Sequence, residues 1–434
     1  MIFQHAPWWD ETQALLIARA PFADLFGNLK YEGHGALWYV WLGLVDRLTG
    51  AAPWSLAMAQ VPIAIAIQAL IWLRSPFSLI VKALVALSYF FVFEYAIQAR
   101  DYGLTVIFIF GAVVWRGSLW SWIALALAAN TCATGVLAAV AVGVLLFIRK
   151  PDWRGVAILA VGLALAAATA LPHPADFVPN DKAHPGAGSV VRTVRTMSGL
   201  VVPAIPSWPY RWESHPPGWW GWWIGLLTLP LGWWLFRLRS SRLVFAGLWG
   251  GVAAFSIAIY PLYPHHAGMI VVFAVAALWL EQAEGLAPNL VAKAWLGLLV
   301  LCGAPFWLSA TAAPFSNNRA IAAWVRQRGL DHETWGAWPR SAGERITWAT
   351  GRPTIDLDGM CADTFTKWNH LGVVGQPGTD GRLAASGVRW FITEAPLTGA
   401  TPMAYFPATR GHDYSAWIYR YDGPTASRPP GRCP

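Results

Sequence analysis

The sequence predicts a multi-pass α-helical membrane protein that carries a small water-soluble α/β domain at its carboxyl end. Hydrophobic residues make up 56 % of the 434 positions and charged residues only 12 %, whereas about 25 % of the residues in a soluble domain are charged. Long apolar runs recur along most of the chain and stop near Pro314, where charged residues and glycines become frequent. We therefore expect a membrane domain over residues 1–312 and an α/β domain over residues 313–434.

Ten apolar runs are candidates for membrane-spanning helices, since a span needs about 20 predominantly apolar residues. They are 54–73, 77–96, 103–116, 118–130, 132–148, 153–172, 219–236, 243–260, 267–283 and 290–311. Tilt or local thinning of the bilayer can accommodate the shorter ones. The apolar stretch 36–48 is too short to span, and we interpret it as a juxtamembrane helix at the outer interface.

Basic residues are concentrated in alternate connections between these runs, namely at Arg74, Arg116, Arg149, Lys150, Arg154, Arg237, Arg239, Arg242 and Lys293. The positive-inside rule assigns this side to the cytoplasm. Residues 1–53, the long 173–218 loop and the 313–434 domain are then expected on the extracytoplasmic side of a bacterial inner membrane. An outer amino terminus requires either that the first span translocates it or that a further helix precedes Met1, and we favour the second.

The net charge of +8 comes from these short loops, and neither a nucleic-acid motif nor a soluble basic patch accompanies it. The 29 Trp residues are interpreted first as anchors at the membrane interface, with sugar stacking as the alternative.

Cys132 and Cys302 lie in apolar runs and are expected to be buried. Cys361 and Cys433 lie in the terminal domain, and they can form a disulfide if that domain is outside the cytoplasm.

Within the 313–434 domain, Ser316-Asn317-Asn318 predicts the cap of a helix over 319–328 that has Ile321, Trp324 and Val325 on one face. The segments 389–393 and 416–421 have strand composition. Three acidic residues lack the spacing of a calcium loop, and we interpret them as solvated loop acids: Asp356, Asp358 and Asp363.

One segment of the 173–218 loop has helical periodicity. Apolar residues recur at Val190, Val194, Met197 and Val201, while the other face carries Arg192, Thr193, Arg195 and Thr196. Two interpretations remain open, namely a helix lying on the membrane surface or a basic shelf that binds a lipid phosphate.

Ionisable residues are costly in or near a bilayer, so those at the outer ends of the spans are candidates for function. They are Asp10, Glu11, Lys30, Glu32, His34, Glu94, Arg100, Asp101, His265 and His266. If the spans form a bundle, these loops converge on a cavity that can hold a polar headgroup while its lipid tail stays in the membrane. A carboxylate and a cation there are the minimum needed to transfer a sugar from a lipid phosphate.

Five stretches in order resemble bacterial polyprenyl-phosphate-sugar glycosyltransferases, relatives of glycosyltransferase family 39 that include the protein mannosyltransferases and the lipid A aminoarabinose transferase. Residues 8–41 resemble the first outer loop, with Asp-Glu followed by a YEGHPPLW-like run. The others are FEYAIQARDYGL (93–104), NTCATG (130–135), YPHHAG (263–268) and SNNRAIAAWVRQRG (316–329). The resemblance implies the C-type glycosyltransferase fold.

It also implies roles for individual residues. Asp10 would be the catalytic base, and Glu11 would assist in binding the acceptor or the headgroup. Arg100 would face the phosphate with Tyr102 nearby, and His34, His265 and His266 would line the cavity. Two departures are the Gly35-Ala36 pair, where relatives have Pro-Pro, and Pro264, where they often have Arg. A missing phosphate-binding cation could be replaced by Lys30, Arg192 or Arg195.

The leading hypothesis is therefore an inverting membrane glycosyltransferase. It would move a sugar from a polyprenyl monophosphate to a glycolipid, polysaccharide or protein acceptor outside the cytoplasm. We expect no essential cofactor, although a divalent metal could bind. The alternatives are a transporter or flippase of lipid-linked sugars and a noncatalytic membrane protein of polysaccharide assembly.

Overall fold

The computed structural model describes residues 1–434 except 31, 52, 172–184, 204–218, 310–313, 367–379, 410–413, 427–429 and 434. A bundle of apolar helices is followed by a small domain built on a mixed β-sheet. This confirms the predicted class, a helical membrane protein with a carboxyl-terminal α/β domain. Most of the predicted 173–218 loop lies outside the described residues.

The helices of the bundle follow the apolar runs. They are α1 (Trp9–Arg19), α2 (Phe22–Leu29), α3 (Leu37–Leu48), α4 (Ser55–Ala69, continued by a π-helical turn Leu70–Arg74), α5 (Leu79–Ala86), α6 (Tyr102–Val114), α7 (Leu119–Ala129), α8 (Ala133–Arg149), α9 (Trp153–Ala170), α10 (Ala187–Met197), α11 (Trp219–Leu235), α12 (Arg239–Ala258), α13 (Pro264–Ala267), α14 (Met269–Ala283) and α15 (Leu290–Ser309).

Five of the described helices are long and apolar enough to cross a membrane: Ser55–Arg74, Trp153–Ala170, Arg239–Ala258, Pro264–Ala283 and Leu290–Leu308. The prediction of one continuous span over 77–96 is wrong, because α5 ends at Ala86 and a separate π-helical turn covers Phe90–Glu94. The break matters for the site, since it is followed directly by the turn that carries Arg100.

Helix α14 forms the centre of the bundle. Every residue from Met269 to Glu281 is buried, and α6, α8 and α12 pack around it. A helix that is apolar on all sides suits such a position, because no face needs contact with water. The one buried acid, Glu281, accepts hydrogen bonds from the backbone N–H groups of Arg237 and Leu238 at 3.0 Å each, which places a carboxylate at the amino-terminal end of α12.

The connections of the bundle meet in two groups at opposite ends. Arg149 pairs with Glu284, and Arg237 donates to the Ala287 carbonyl oxygen at 3.1 Å, so three of the basic connections adjoin one another. At the other end, the amide of Ala99 donates to Glu11, and that of Leu37 donates to the Asn130 carbonyl oxygen. These three basic connections, which the sequence assigned to one side of the membrane, therefore lie together at one end of the bundle.

The carboxyl-terminal domain contains α16 (Asn318–Gln327), β1 (Trp335–Trp338), α17 (Arg340–Thr350), β2 (Thr354–Asp356), β3 (Cys361–Asp363), α18 (Asp380–Ala385), β4 (Trp390–Thr393), β5 (Thr401–Phe406) and β6 (Ala416–Arg420). The described strands form one sheet in the order β3-β2-β1-β4-β6-β5. Strand β1 pairs parallel with β2 and β4, and the other pairs are antiparallel. The predicted helix and both predicted strands are confirmed.

Two details of that domain differ from expectation. The Asn317 side chain makes no cap bond to its helix. Instead Ser316 and Asn318 both donate to the Pro7 carbonyl oxygen and connect the domain to the amino-terminal segment.

The interpretation of Asp356 as a solvated loop acid is wrong. It is a buried residue of β2 that accepts the amides of the following turn, while Asp358 pairs with Arg382 and Asp363 with Arg340.

Helix α10 is buried on a different face from the one that its periodicity predicted. Thr193 and Thr196, expected on a polar face, are buried together with Val194 and Met197. The Thr193 hydroxyl donates to Ser256 at 2.9 Å and the Thr196 hydroxyl donates to the Leu262 carbonyl oxygen at 3.0 Å. These hydroxyl bonds join α10 to α12 and to the turn before α13, so both threonines lie against the bundle.

Cys361 and Cys433 form a disulfide across 72 residues of sequence. We expect the double variant Cys361→Ser/Cys433→Ser to destabilise the terminal domain by about 2–4 kcal/mol, because the bridge restricts the unfolded chain. Thermal unfolding followed by circular dichroism measures the change. A reductant should lower the melting temperature of the wild type and leave the variant unaffected. Equal responses of the two proteins to reductant would contradict the prediction.

Candidate functional site

The candidate site begins at the amino-terminal end of α1, where Asp10 lies in the first turn. Its Oδ2 is 3.1 Å from Nη1 of Arg100, which lies in the turn that precedes α6. The Arg100 side chain is 9 % exposed and that of Asp10 is 27 % exposed. The pair therefore joins a partly accessible carboxylate to a nearly buried guanidinium.

The neighbouring carboxylate, Glu11, is fully buried and faces the protein instead. Its Oε1 accepts the Ala99 amide at 2.6 Å. Its Oε2 accepts the Trp8 amide at 2.9 Å and lies 2.8 Å from Nε2 of His5. Adjacent acids thus have different surroundings. Glu11 fixes the turn that carries Arg100, and this geometry favours a positioning role for Glu11 over the expected contact with acceptor or headgroup.

We expect Glu11→Gln to destabilise the protein by about 1–3 kcal/mol, because an amide cannot accept both backbone N–H groups and one buried donor loses its partner. Thermal unfolding in detergent measures this. Glu284→Gln serves as the control, since Glu284 forms an exposed ion pair with Arg149 and such pairs contribute little. Equal melting temperatures for Glu11→Gln and wild type would refute the positioning role.

Aromatic rings surround the Arg100 guanidinium. Its central carbon lies 5.9 Å from the ring centroid of Trp8 and 5.8 Å from that of Tyr102, within the range of cation–π attraction. The same Tyr102 ring is 5.4 Å from His265 and 5.8 Å from His266. The α13 turn therefore reaches the site through Tyr102, and the structure brings together the motifs at 8–11, 98–102 and 263–268.

His34 joins the site from the segment between α2 and α3. Its Nδ1 lies 3.1 Å from Oδ2 of Asp101. Burial lowers the pKa of His34, an effect that Asp101 opposes. The following Gly35 donates its amide to the Thr131 carbonyl oxygen, and a Cβ there would lie 2.2 Å from the Asn130 carbonyl oxygen. This close approach requires glycine at position 35, since any larger residue would clash with the Asn130 backbone.

Glu32 is half-buried beside α1, and its Oε1 accepts a hydrogen bond from Nε2 of Gln13 at 2.6 Å. Burial raises the pKa of Glu32 to about 8, and the Glu344 carboxyl adds to the shift, while Gln13 and Arg100 oppose it. Glu344 belongs to α17 of the terminal domain. Burial also raises the pKa of Glu344 to about 8, an effect that interactions with Thr366 and Trp9 oppose.

Four further predicted residues lie outside the Asp10–Arg100 pair. Lys30 is exposed at the end of α2. Glu94 is buried and accepts the Tyr89 hydroxyl at 2.7 Å. Arg192 and Arg195 are half-buried on α10, which contacts α13. The cation that pairs with Asp10 is Arg100.

No family model and no curated protein sequence matches this chain. Among solved structures, the chain is similar to ArnT from Cupriavidus metallidurans, crystallised with undecaprenyl phosphate. The similarity extends over 98 % of this chain and 96 % of that chain, at 14 % sequence identity and a TM-score of 0.48. A likeness this distant assigns no function.

Among the described residues, no group of three or more His, Cys, Asp or Glu side chains is arranged to hold a metal ion. The expectation that no cofactor is essential stays a prediction.

The sequence did not indicate Gln13 and Glu344 as neighbours of Asp10. The position of Gln13, three residues after Asp10 on a helix, could have indicated it. Nothing local marks Glu344, which reaches α1 only through the docking of α17.

Proposed function

We propose that this protein is a membrane glycosyltransferase that transfers a sugar from a polyprenyl monophosphate to an acceptor hydroxyl. The observation that carries the proposal is the Asp10–Arg100 pair, 3.1 Å apart, at the end of the bundle where the terminal domain is attached. The ordered resemblance of residues 8–41, 93–104 and 263–268 to polyprenyl-phosphate-sugar transferases supports it.

In the proposed reaction Asp10 accepts the proton of the acceptor hydroxyl as its oxygen attacks the anomeric carbon. The new carbon–oxygen bond forms on the face opposite the phosphate, and the bond to the phosphate oxygen breaks, so the anomeric centre is inverted. The electron pair of that bond leaves with the polyprenyl phosphate. Arg100 stabilises the charge that grows on this leaving group.

This assignment requires Arg100 to exchange its partner. In the absence of donor it is paired with Asp10, and a bound phosphate would compete for the guanidinium. Asp10 would then be released to act as a base only when donor is present. The rings of Trp8 and Tyr102 hold the guanidinium in place during this exchange, and His34 and the α13 histidines would face the sugar.

The proposed location of the reaction is extracytoplasmic. The basic connections adjoin one another at the far end of the bundle from Asp10, and the positive-inside rule favours the cytoplasm for that end. The disulfide between Cys361 and Cys433 is typical of an oxidising compartment, and the domain that carries it contacts α1.

The test uses the purified protein in vesicles that contain radiolabelled sugars linked to polyprenyl phosphate, with membrane glycolipid, polysaccharide or protein as acceptor. The proposal expects label in the acceptor together with free polyprenyl phosphate, and an inverted anomeric configuration by NMR. Movement of intact lipid-linked sugar across the bilayer without transfer would indicate a flippase. Binding without either change would indicate a noncatalytic assembly protein.

A further inference from the structure

The terminal domain contacts the candidate site through α17, which packs against α1. A carboxyl group without an assigned role lies at this contact. Glu344 is 2 % exposed, and its Oε1 accepts the Thr366 amide at 2.8 Å. The Glu344 carboxyl also interacts with the side chain of Trp9, the residue that directly precedes Asp10. Glu344 is thus connected to the helical turn that carries the proposed base.

A second connection reaches the same helix one turn later. Nε2 of Gln13 donates to Oε1 of Glu32 at 2.6 Å and to the Thr366 carbonyl oxygen at 3.3 Å. Residues three apart on a helix lie on the same face, so Gln13 and Asp10 move together. Helix α1 is therefore held on one side by the outer loop and on the other by the terminal domain.

We propose that Glu344 is a positioning residue for Asp10 and that the terminal domain completes the site through it. The inference rests on the proposed function, since the position of Asp10 matters for transfer only if Asp10 takes the acceptor proton. Glu344 acts through Trp9 and through Thr366, which bonds to Gln13, and it does not contact the substrate. The terminal domain would therefore be required for catalysis, because it helps to position Asp10.

The protonation of this contact follows from its surroundings. Burial raises the pKa values of Glu32 and Glu344 to about 8, and each carboxyl is close enough to Asp10 for that charge to add to the shift. Within the described part of the chain, the charged or titratable groups that act on one or both of them are Asp10 on α1, Tyr39 on α3, Arg100 in the 98–102 turn and Arg340 on α17. Arg100 is paired with Asp10 and Arg340 with Asp363, so near pH 7 both glutamates hold their protons.

Because both pKa values are raised in the folded protein, the stability of the contact must fall as the pH increases. The folded protein keeps protons up to about pH 8 that the unfolded chain loses near pH 4.5. Stabilisation at the contact is therefore complete below pH 4.5 and declines as the pH rises through 8. Above that pH, carboxylates would face one another beside Asp10, so α1 should lose its position and transfer should fall.

The experiment compares the full-length wild type with Glu344→Gln and Glu344→Ala in vesicles between pH 6 and pH 9.5. Glu333→Gln, an exposed residue of the same domain, is the matched control. Transfer is measured as kcat and KM at each pH, and the melting temperature is measured in parallel. The Gln variant imitates the protonated carboxyl and cannot ionise, whereas Ala removes the hydrogen bonds altogether.

We expect Glu344→Ala to lower kcat about ten- to a hundredfold, as displaced catalytic groups do, with KM unchanged. Glu344→Gln should retain wild-type kcat near pH 7 and show a smaller loss of activity and melting temperature toward pH 9. Wild-type pH profiles in the Gln variant would overturn the inference, and so would full kcat in the Ala variant. If Ala fails to fold, the Gln profiles decide.

A wild type that transfers no sugar would contradict the proposed function and, with it, the role of Asp10 as a base. The melting profiles separate that failure from the inference about the contact. If Glu344→Gln then melts with the same dependence on pH as the wild type, the buried proton at the contact is refuted as well. If its dependence is flatter, the contact stands and the chemistry of the site must be reassigned.

Discussion

Asp10→Asn should abolish sugar transfer while the protein still folds and binds its lipid donor. Asparagine has nearly the shape of aspartate but cannot accept the proton of the attacking hydroxyl, and a general base contributes about 10²- to 10⁴-fold to a rate. The loss should appear in kcat. Transfer of labelled sugar in vesicles measures it, with thermal unfolding of the same preparation as the test of folding.

Asp24→Asn is the matched control for this experiment. Asp24 is an exposed acid in the first turn of the next helix, α2, so the same chemical change is made outside the site. Its transfer rate should equal that of the wild type. If Asp10→Asn transfers sugar at the wild-type rate, Asp10 is not the base. If lipid-linked sugar crosses the bilayer unchanged in both variants and neither transfers it, the flippase hypothesis is preferred.

Arg100→Gln should weaken binding of polyprenyl phosphate and slow transfer about 10²- to 10³-fold, which is the usual effect of removing one group that stabilises a developing anion. Both the ground state and the leaving group carry phosphate charge, so KM should rise and kcat should fall. Arg100→Lys should recover only part of the activity, because an ammonium group cannot form two parallel bonds to phosphate or stack on Trp8 and Tyr102 in the same way.

The control for Arg100 is Arg116→Gln. Arg116 is exposed just beyond the other end of the same helix, α6, which runs from Tyr102 to Val114. Its loss should leave both kinetic parameters unchanged. Binding of sugar-free polyprenyl phosphate provides a second measurement that does not depend on turnover. Unaltered affinity of Arg100→Gln for that lipid would exclude Arg100 as the phosphate-binding group.

The membrane domain was largely predictable because its signals are local. Each of the ten apolar runs corresponds to helical structure, although 77–96 contains a break that hydropathy could not show. Chain reversal after each run separates alternate connections to opposite ends, so the basic loops could be grouped before their contacts were known. In the terminal domain, the helix at 318–327 and the strands at 390–393 and 416–420 were likewise evident from residue pattern.

The site was predictable only in part. Ordered motifs identified Asp10, Arg100, Tyr102 and the α13 histidines, and the fold brings these together. Charge alone could not separate Asp10 from Glu11, although one is partly exposed beside Arg100 and the other is buried against backbone amides. Charge also could not show that Lys30 is exposed at the end of α2 or that Glu94 is buried beside the Tyr89 hydroxyl.

The sequence by itself determined the class of protein, the approximate positions of its helices and of two strands, and the end of the bundle at which the ionisable residues cluster. Those properties follow from the length and period of apolar runs, which act over neighbouring residues. The tertiary structure decided that Glu11 supports the turn of Arg100, that Thr193 and Thr196 are buried, and that Glu344 reaches Trp9. Such contacts join residues that are far apart in the sequence, for example 63 positions for Thr193 and Ser256 and 88 positions for Glu11 and Ala99, and only the packing of the whole chain brings them together.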